Sequence, residues 1–332
     1  MHNKTFLLLI SVAFMLVPGT GPMAADTDEQ KAVLITGAST GIGRNAAETL
    51  AKAGYFVYAG ARKAADLEAL NKIDNIMGVR LDVTVQDEID AAVELIASEG
   101  RGLWGVVNNA GVNVVGPMIE YEESDIDFLF DVNIYGVYRV TKAFAPMIIE
   151  AQGRIINISS ISGILSSYGY GTYAMSKHAI EAYTDALTYE MRELGVKVSA
   201  VEPGNYKSRI GYTRCKRMLA EDRDREGSYF AEYWQNRIDG CKAYLESGGQ
   251  STEREPDQVS AAIIHALSSE DPKQHYMVVP NQEEAGWTIR KALEEVLSLN
   301  HAHEFSYSRE ELIALMDDEW LYITGEKTHE HD

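Results

Sequence analysis

The chain has 332 residues and a formal net charge of −20, from 30 basic and 50 acidic side chains. This acidic balance argues against nucleic acid or an anionic membrane surface as a partner. With 45% hydrophobic residues, the chain can bury the core of one domain of about 250 residues and still carry additions.

The first segment, residues 1–25, has the pattern of a signal peptide. Lys4 precedes an apolar run from Phe6 to Val17, and a proline and small residues follow it. The run is short for a transmembrane span. Translation from Met23 would instead give a cytoplasmic protein that begins just before the first strand. Export, membrane association through residues 1–25 and this later start all stay open, and we exclude the segment from the fold.

Apolar runs then alternate with helical patterns along the chain. This alternation predicts βαβ units, and therefore an α/β fold with a mostly parallel sheet covered by helices on both faces. Beyond Pro280, we expect amphipathic helices over Trp287–Leu299 and Ser308–Met316, the second opened by a capping box from Ser308 to Glu311. The predicted strands lie near residues 31–36, 55–60, 76–81, 103–108, 154–159, 196–201 and 275–279.

A glycine-rich turn follows the first predicted strand and leads into a predicted helix. Glycines allow a tight turn and close backbone approach, while the helix N-terminus presents unpaired N–H groups and a positive dipole to a phosphate. The spacing is Gly-x-x-x-Gly-x-Gly, so the general dinucleotide fingerprint is not matched literally. We therefore predict a phosphate-binding turn, with a plain structural turn as the alternative. It reads Thr36-Gly37-Ala38-Ser39-Thr40-Gly41-Ile42-Gly43.

Three polar side chains follow the fifth predicted strand. Ser160 stands at its carboxyl end, where ligands bind in open α/β sheets. Tyr173 and Lys177 are four residues apart on a predicted helix, so both side chains point into the same space. A phenol beside a fixed positive charge loses its proton more easily, which predicts a group that transfers protons.

Together these residues resemble the short-chain dehydrogenase/reductase family over roughly residues 31–280. The match includes the turn, Leu81-Asp82-Val83, Asn108-Asn109-Ala110-Gly111, Asn133, Ser160, Tyr173-x-x-x-Lys177 and Pro203-Gly204. Glu202-Pro203-Gly204 followed by an aromatic residue is similar to the 17-beta-hydroxysteroid and retinol dehydrogenase branch. The resemblance implies one Rossmann-type doubly wound domain over residues 31–280. Within it, a substrate lid is expected at about 205–250, and a C-terminal helical extension over 281–332 follows.

The resemblance implies hydride transfer between a nicotinamide cofactor and a hydrophobic secondary alcohol, ketone or aldehyde that is steroid-, retinoid- or lipid-like. Tyr173 would be the general acid in reduction and the base in oxidation. Lys177 would lower the tyrosine pKa and hold the nicotinamide ribose. Ser160 would hydrogen-bond the substrate oxygen, and Asn133 would hold a water that relays protons to Lys177.

Two alternatives belong to other functional classes: a nucleotide-sugar epimerase or dehydratase, and a regulator that binds NAD or NADP without chemistry. The intact set of Asn133, Ser160, Tyr173 and Lys177 argues against the regulator. The Asn-Asn-Ala-Gly motif and the glycine spacing favour a dehydrogenase over the epimerase.

The end of the second strand bears on which cofactor binds. An acidic residue there would accept from the adenosine ribose and repel a 2′-phosphate. This chain has Ala61, followed by Arg62 and Lys63, which favours NADP. Thr40 replaces the basic residue typical of NADP-binding relatives, so NAD stays an alternative. The cofactor-binding residues implied by the family are Gly37, Ser39, Thr40, Gly41, Ile42, Gly43, Arg62, Asp82, Val83, Asn109, Ala110, Gly111, Tyr173, Lys177, Pro203, Gly204 and Tyr206.

The remaining expectations concern cysteines, metals and assembly. Cys215 and Cys241 would pair in a secreted protein, although two inert thiols are the favoured interpretation. No metal site is predicted, because the C-terminal histidines lack a carboxylate or cysteine pattern. We expect a homodimer without a nucleic acid partner. The histidines concerned are His301, His303, His329 and His331.

Overall fold

The computed structural model describes residues 30–223 and 225–327, so the signal-like segment and the last two histidines lie outside the described residues. The strands are β1 (Ala32–Ile35), β2 (Phe56–Ala61), β3 (Ile76–Arg80), β4 (Gly105–Asn108), β5 (Arg154–Ile158), β6 (Lys197–Pro203) and β7 (His275–Val278). The helices are α1 (Gly41–Lys52), α2 (Ala64–Leu70), α3 (Gln86–Ser98), α4 (Glu123–Phe130), α5 (Gly136–Glu150), α6 (Gly171–Arg192), α7 (Ile210–Glu221), α8 (Ala231–Glu246), α9 (Asp257–Ser268), α10 (Gln282–Asn300) and α11 (Arg309–Ile323). A π-helical turn, Asp131–Tyr135, lies between α4 and α5.

All seven predicted strands are present and form one sheet in the order β3-β2-β1-β4-β5-β6-β7. Every neighbouring pair is parallel. The helical crossovers between successive strands supply the length that parallel pairing requires. The predicted α/β architecture is confirmed.

The sheet is buried on both faces, which explains why its strands read as continuous apolar runs. Along β1, Val33 and Ile35 point into one core cluster, where they meet apolar residues of α1 and α9. Ala32 and Leu34 point into the opposite cluster, with apolar residues of α3 and α5. The alternation follows from the two-residue period of a strand. The sheet is therefore doubly wound, as predicted.

The C-terminal extension contains the two predicted helices, α10 and α11. α10 begins earlier than expected, because the Asn281 side chain caps it by accepting from the Glu284 N–H. The Glu284 carboxylate in turn accepts from the Asn205 backbone N–H at 2.8 Å and joins α10 to the segment after β6. The capping box of Ser308 and Glu311 is present at the start of α11. No helix within 30–223 and 225–327 is long and apolar enough to cross a membrane.

The lid segment contains α7 and α8, which a disulfide between Cys215 and Cys241 joins. The expectation of two inert thiols was therefore wrong. The two helices pack against each other with the Cα atoms of the cysteines 5.1 Å apart, within the range that a disulfide needs. A separation of 26 residues gives no hint of this approach in the sequence.

Candidate active site

A cavity of about 1760 Å³ lies at the carboxyl ends of the strands. The strand order reverses between β1 and β4, and open α/β sheets bind ligands at such a switch point. The cavity runs from the glycine-rich turn after β1 to α7 and α8. Its volume exceeds the roughly 300–1,000 Å³ typical of a site for one small ligand. It has room for an extended dinucleotide and a second small molecule.

The glycine-rich turn lies at one end of this cavity, and its backbone requires glycine. Gly37 and Gly41 have φ of +66° and +58°, in the left-handed region that side chains disfavour. Thr40 precedes α1 without a capping hydrogen bond from its side chain. The first N–H groups of α1 are therefore left for a ligand at the positive end of the helix dipole.

Gly43 leaves room for the Asn109 side chain, which connects the turn after β1 to the turn after β4. The Asn109 amide donates to the carbonyls of Thr36 at 2.9 Å and Gly37 at 3.1 Å. A Cβ atom at Gly43 would overlap both the Asn109 side chain and the Gly37 carbonyl. Asn109 thus holds the turns after β1 and β4 together, and these two turns form the floor of the cavity.

Ser160, Tyr173 and Lys177 meet beside this floor, as the sequence predicts. Ser160 follows β5, and its hydroxyl accepts from the Ser162 N–H at 3.1 Å, donates to the Pro203 carbonyl at 3.4 Å and stands beside the Tyr173 phenol. Lys177 lies one turn beyond Tyr173 on α6. Its Nζ donates to the Ile158 carbonyl at 2.8 Å and stands 5.6 Å from the centroid of the tyrosine ring.

Burial has the largest effect on the pKa values of Tyr173 and Lys177. Burial raises the pKa of Tyr173 to about 12, and the hydrogen bond with Ser160 only partly opposes it. Burial lowers the pKa of Lys177 to about 8, against the attraction of Glu181. Desolvation has the larger effect on both groups, and the lowering of the tyrosine pKa by Lys177 beside a bound nicotinamide stays a prediction. Tyr173 is therefore held as a phenol, the form that donates a proton.

Asn133 occupies the π-helical turn and is buried. Its side chain accepts from the Val112 N–H at 2.8 Å and donates to the Val112 carbonyl at 3.0 Å and the Ser176 hydroxyl at 3.1 Å. Asn133 therefore braces the loop after β4 against α6, and it does not line the cavity. Its role in holding a relay water stays a prediction.

The family model for short chain dehydrogenases matches residues 31–217, more than half of the chain. The matched span contains the glycine-rich turn and the trio of Ser160, Tyr173 and Lys177. The chain belongs to the short-chain dehydrogenase family. It is an NAD(P)-dependent oxidoreductase of that family, as the resemblance implied.

This dehydrogenase is similar to the mitochondrial D-beta-hydroxybutyrate dehydrogenase of Bos taurus, with 37% identity over 292 residues, 81% of this chain and 83% of that protein. Retinol dehydrogenase 7 of Mus musculus is 33% identical over 268 residues, 79% of this chain and 82% of that one. Among solved structures, a Burkholderia phymatum short-chain dehydrogenase/reductase in complex with NAD has a TM-score of 0.68 and 22% identity, and the match covers 84% and 99% of the two chains. The two relatives support an oxidoreductase for alcohol or ketone substrates, and the solved structure supports the fold.

In this dehydrogenase the end of β2 carries an exposed cation next to the cavity. Ala61 is buried, and the Arg62 side chain is 59% exposed. The Arg62 guanidinium pairs with the Asp82 carboxylate at 3.4 Å. Burial acts to raise the pKa of Asp82, but hydrogen bonds from Thr84 and the charge of Arg62 hold it below its usual range. Asp82 is therefore an anion beside the cavity.

The predicted cofactor residues all line the cavity. Tyr206 does so with its ring packed in the core and its hydroxyl donating to the Gln258 side chain on α9 at 2.6 Å. That hydroxyl is therefore occupied by the protein itself. The cavity-lining set is Gly37, Ser39, Thr40, Gly41, Ile42, Gly43, Arg62, Asp82, Val83, Asn109, Ala110, Gly111, Tyr173, Lys177, Pro203, Gly204 and Tyr206.

Side chains of the lid complete the cavity together with Tyr168, which lies in the loop before α6, and sequence reasoning gave most of them no role. The aromatic rings of Tyr168, Phe230 and Tyr233 pack edge to face or at a tilt, with Tyr168 and Tyr233 5.2 Å apart between centroids. Arg214 and Arg237 line the same region. The lid segment has no sequence motif of fixed spacing, so its aromatic content was the one signal in the sequence for side chains that line the cavity.

The lid is held onto the body of the protein by contacts to two carboxylates, of which Asp125 is buried. Asp125 of α4 accepts from Arg217 at 2.9 Å and from Arg223. Glu120 accepts from the Trp234 indole N–H at 2.7 Å. Hydrogen bonds to charged groups are among the stronger ones in proteins. These contacts fix α7 and α8 over the cavity.

A cluster of titratable groups lies behind Lys177. The possible ligand atoms of Glu181, Glu202 and His275 lie within 4.8 Å of one another, and no other such group of three occurs in the described residues. Hydrogen bonds to Glu181 and Glu202 raise the pKa of His275 to about 10, against the effect of burial. His275 is therefore held as a cation between the carboxylates. His301 and His303 are exposed and stand outside any such group.

Replacing His275 with glutamine is expected to lower the free energy of unfolding by about 1–2 kcal/mol near pH 6.5, because Glu181 and Glu202 then face each other without a cation. The histidine side chain is 41% exposed, so water screens part of the pair. Its pKa is raised on folding, so the stabilisation is complete below about pH 6.5 and disappears as the pH rises through about 10.

Urea unfolding near both of these pH values would measure the effect. The exposed His301→Gln is the matched control and should leave the pH dependence unchanged. An equal loss of stability for His275→Gln at the two pH values would contradict a charge-based role.

Proposed function

We propose that this dehydrogenase transfers a hydride between a nicotinamide dinucleotide, NADP in preference to NAD, and a secondary alcohol or ketone with an apolar body. One observation carries the proposal: a continuous cavity joins the glycine-rich turn to the trio of Ser160, Tyr173 and Lys177. A phosphate-binding end and a proton-transferring end in the same cavity suit a cofactor bound beside a substrate.

The residues of the turn fit a dinucleotide. The uncapped start of α1 offers N–H groups to a pyrophosphate, and Gly37 and Gly41 leave its approach free of side chains. Asp82 would accept from the adenine amino group. Lys177, with its ammonium beside the cavity, would hold the nicotinamide ribose. When bound, the nicotinamide supplies or accepts the hydride.

The protein residues handle the substrate oxygen and its proton. Ser160 and Tyr173 stand beside each other, so both can hydrogen-bond one substrate oxygen. In reduction, the Tyr173 phenol donates its proton to that oxygen as negative charge develops. In oxidation, the phenolate form takes the proton back, and the nearby Lys177 ammonium favours that charge.

The lid supports an apolar substrate body. Phe230 and Tyr233 of the lid line the cavity and pack against Tyr168 of the loop before α6. Aromatic walls of this kind bury large apolar areas of a ligand. Steroid, retinoid and aliphatic alcohols are therefore the substrates to test first.

A panel of these alcohols, offered to the purified protein with NADP or NAD, tests the proposal through the absorbance of the reduced nicotinamide. We expect turnover with at least one class and a higher kcat/KM with NADP. Turnover of nucleotide sugars alone would favour an epimerase or dehydratase. Cofactor binding without turnover of any alcohol or ketone would favour a regulator.

The preference for NADP rests on Arg62. Its guanidinium is exposed at the cavity and can donate two hydrogen bonds to a 2′-phosphate. To do so, it either keeps its ion pair with Asp82 or gives it up. We expect Arg62→Ala to reduce the ratio of kcat/KM for NADP to that for NAD by about 10- to 100-fold, the worth of a charged hydrogen bond. Ala61→Asp should shift the ratio the same way, because it adds a ribose acceptor that repels the phosphate.

A matched control is Arg101→Ala, which removes an exposed arginine that stacks on Phe56 outside the cavity. It should leave the cofactor ratio at the wild-type value. A wild-type enzyme that already prefers NAD would contradict the NADP assignment and leave the hydride transfer standing.

A further inference from the structure

Two lid arginines face the cavity without a carboxylate partner. Arg214 of α7 and Arg237 of α8 both line it, together with Tyr173. Neither forms an ion pair with any acidic residue among those that the structure describes. The neighbouring Arg217 and Arg223 differ, because both pair with Asp125.

The two guanidinium groups converge on Tyr170, which directly precedes α6. Arg214 donates from Nη1 to the Tyr170 hydroxyl at 3.2 Å, while its Nε is buried without a hydrogen-bond partner. The Arg237 guanidinium lies 5.6 Å from the Tyr170 ring centroid and 5.3 Å from that of Tyr233. Both guanidinium groups face phenols and no carboxylate, so the arrangement suits an anionic ligand that supplies the missing acceptor.

The carboxylates nearby do not neutralise this charge. Glu232 and Glu253 line the cavity as well. Glu253 accepts from the Ser251 hydroxyl at 2.9 Å, and Glu232 is exposed in the first turn of α8. The region around Arg214 and Arg237 is therefore locally cationic in a strongly acidic protein.

The disulfide fixes the positions of both arginines. Cys215 directly follows Arg214, and Cys241 lies one helical turn after Arg237, so the bond joins the helices beside both. A preorganised pair loses less entropy when it binds an anion than two free side chains would. Guanidinium groups also match the two oxygens of a carboxylate.

We propose that Arg214 and Arg237 form a subsite for a carboxylate of the substrate, so that the substrate is a hydroxy or oxo acid with an apolar chain. This inference rests on the proposed function and specifies its substrate class. The trio then acts on the alcohol or ketone carbon, while the lid holds the acid group and the rings of Tyr168 and Tyr233 cover the chain.

The kinetic test compares 3-hydroxyhexanoate with its neutral analogue 3-hydroxyhexanamide in the presence of NADP. We expect the wild type to prefer the acid. Arg214→Gln and Arg237→Gln should each lower the ratio of kcat/KM for acid to amide roughly tenfold to hundredfold, mainly through KM. Lys242→Gln is the matched control, an exposed cation of α8 outside the cavity lining, and should keep the wild-type ratio.

A binding test separates this subsite from the chemistry. The unreactive hexanoate and hexanamide are titrated calorimetrically into the full-length protein saturated with NADP, so that the phosphate-binding turn is occupied. We expect hexanoate to bind more tightly than hexanamide in the wild type and to lose that advantage in the double variant. A preference that survives in the double variant would overturn the subsite.

The outcomes distinguish the two proposals. If alcohols are oxidised but acid and amide behave alike in both tests, the subsite is wrong and the proposed function stands. If no alcohol is oxidised but hexanoate binds through both arginines, the proposed function fails and the subsite stands.

Discussion

Replacing Tyr173 with phenylalanine is expected to lower kcat by about 10²–10⁴-fold, the usual contribution of a general acid or base. The change removes the transferable proton and keeps the ring, which packs beside Lys177. The affinity for NADP should therefore stay near the wild-type value. Stopped assays of the reduced nicotinamide give kcat, and fluorescence titration of NADPH gives the affinity.

Tyr183→Phe is the matched control for this prediction. Tyr183 is a partly buried tyrosine on the same helix, outside the cavity lining. Its variant should keep kcat, since it removes a phenolic hydroxyl of no catalytic use. Turnover by Tyr173→Phe at a rate comparable with this control would remove Tyr173 from the mechanism.

Lys177→Met is expected to reduce both kcat and cofactor affinity. The ammonium is proposed to serve the nicotinamide ribose and the charge on Tyr173 at once, so one substitution affects both. We expect kcat to fall roughly 10²–10³-fold, the cost of removing one electrostatic contact in an active site. The NADP dissociation constant should rise about tenfold or more, the worth of a charged hydrogen bond.

The pH profile gives this prediction a second measurement. Because the pKa of Lys177 is lowered to about 8, its ammonium is present below that pH and is lost above it. In the direction of reduction, kcat/KM for NADPH should therefore fall above about pH 8, while Tyr173 stays protonated. The methionine variant should lose this limb of the profile.

Lys142→Met is the matched control, because Lys142 is exposed on α5 and stands over the Tyr138 ring outside the cavity. It should leave the profile and the affinity unchanged. An unaltered NADP affinity in Lys177→Met would show that the lysine does not hold the ribose.

The sequence predicted the features that have local patterns. Continuous apolar runs located all seven strands, because both faces of a parallel sheet are buried. The glycine-rich turn and the spacing of Ser160, Tyr173 and Lys177 located the site, because these are also local patterns. A strand end and one helix face bring these residues together without help from distant parts of the chain.

Other features depend on contacts that a sequence does not contain. The protonation of Tyr173 follows from its burial, and burial is set by the whole fold. The charge excess at Arg214 and Arg237 appears only when the pairing of Arg217 and Arg223 with Asp125 is known. The disulfide likewise depends on how α7 and α8 pack.

The joining of α7 to α8 also restricts how molecules enter and leave. The two helices cannot part from each other while Cys215 and Cys241 are bonded, so any opening must displace them as one body. The connections about which such a body would turn are the segment before Ile210 and the turn after α8, where Gly248 and Gly249 have positive φ angles. Each swing must also break the contacts of Asp125 with the lid. Release of product and entry of new substrate would then require α7 and α8 to move together. The contacts that resist this movement lie far from the reacting carbon.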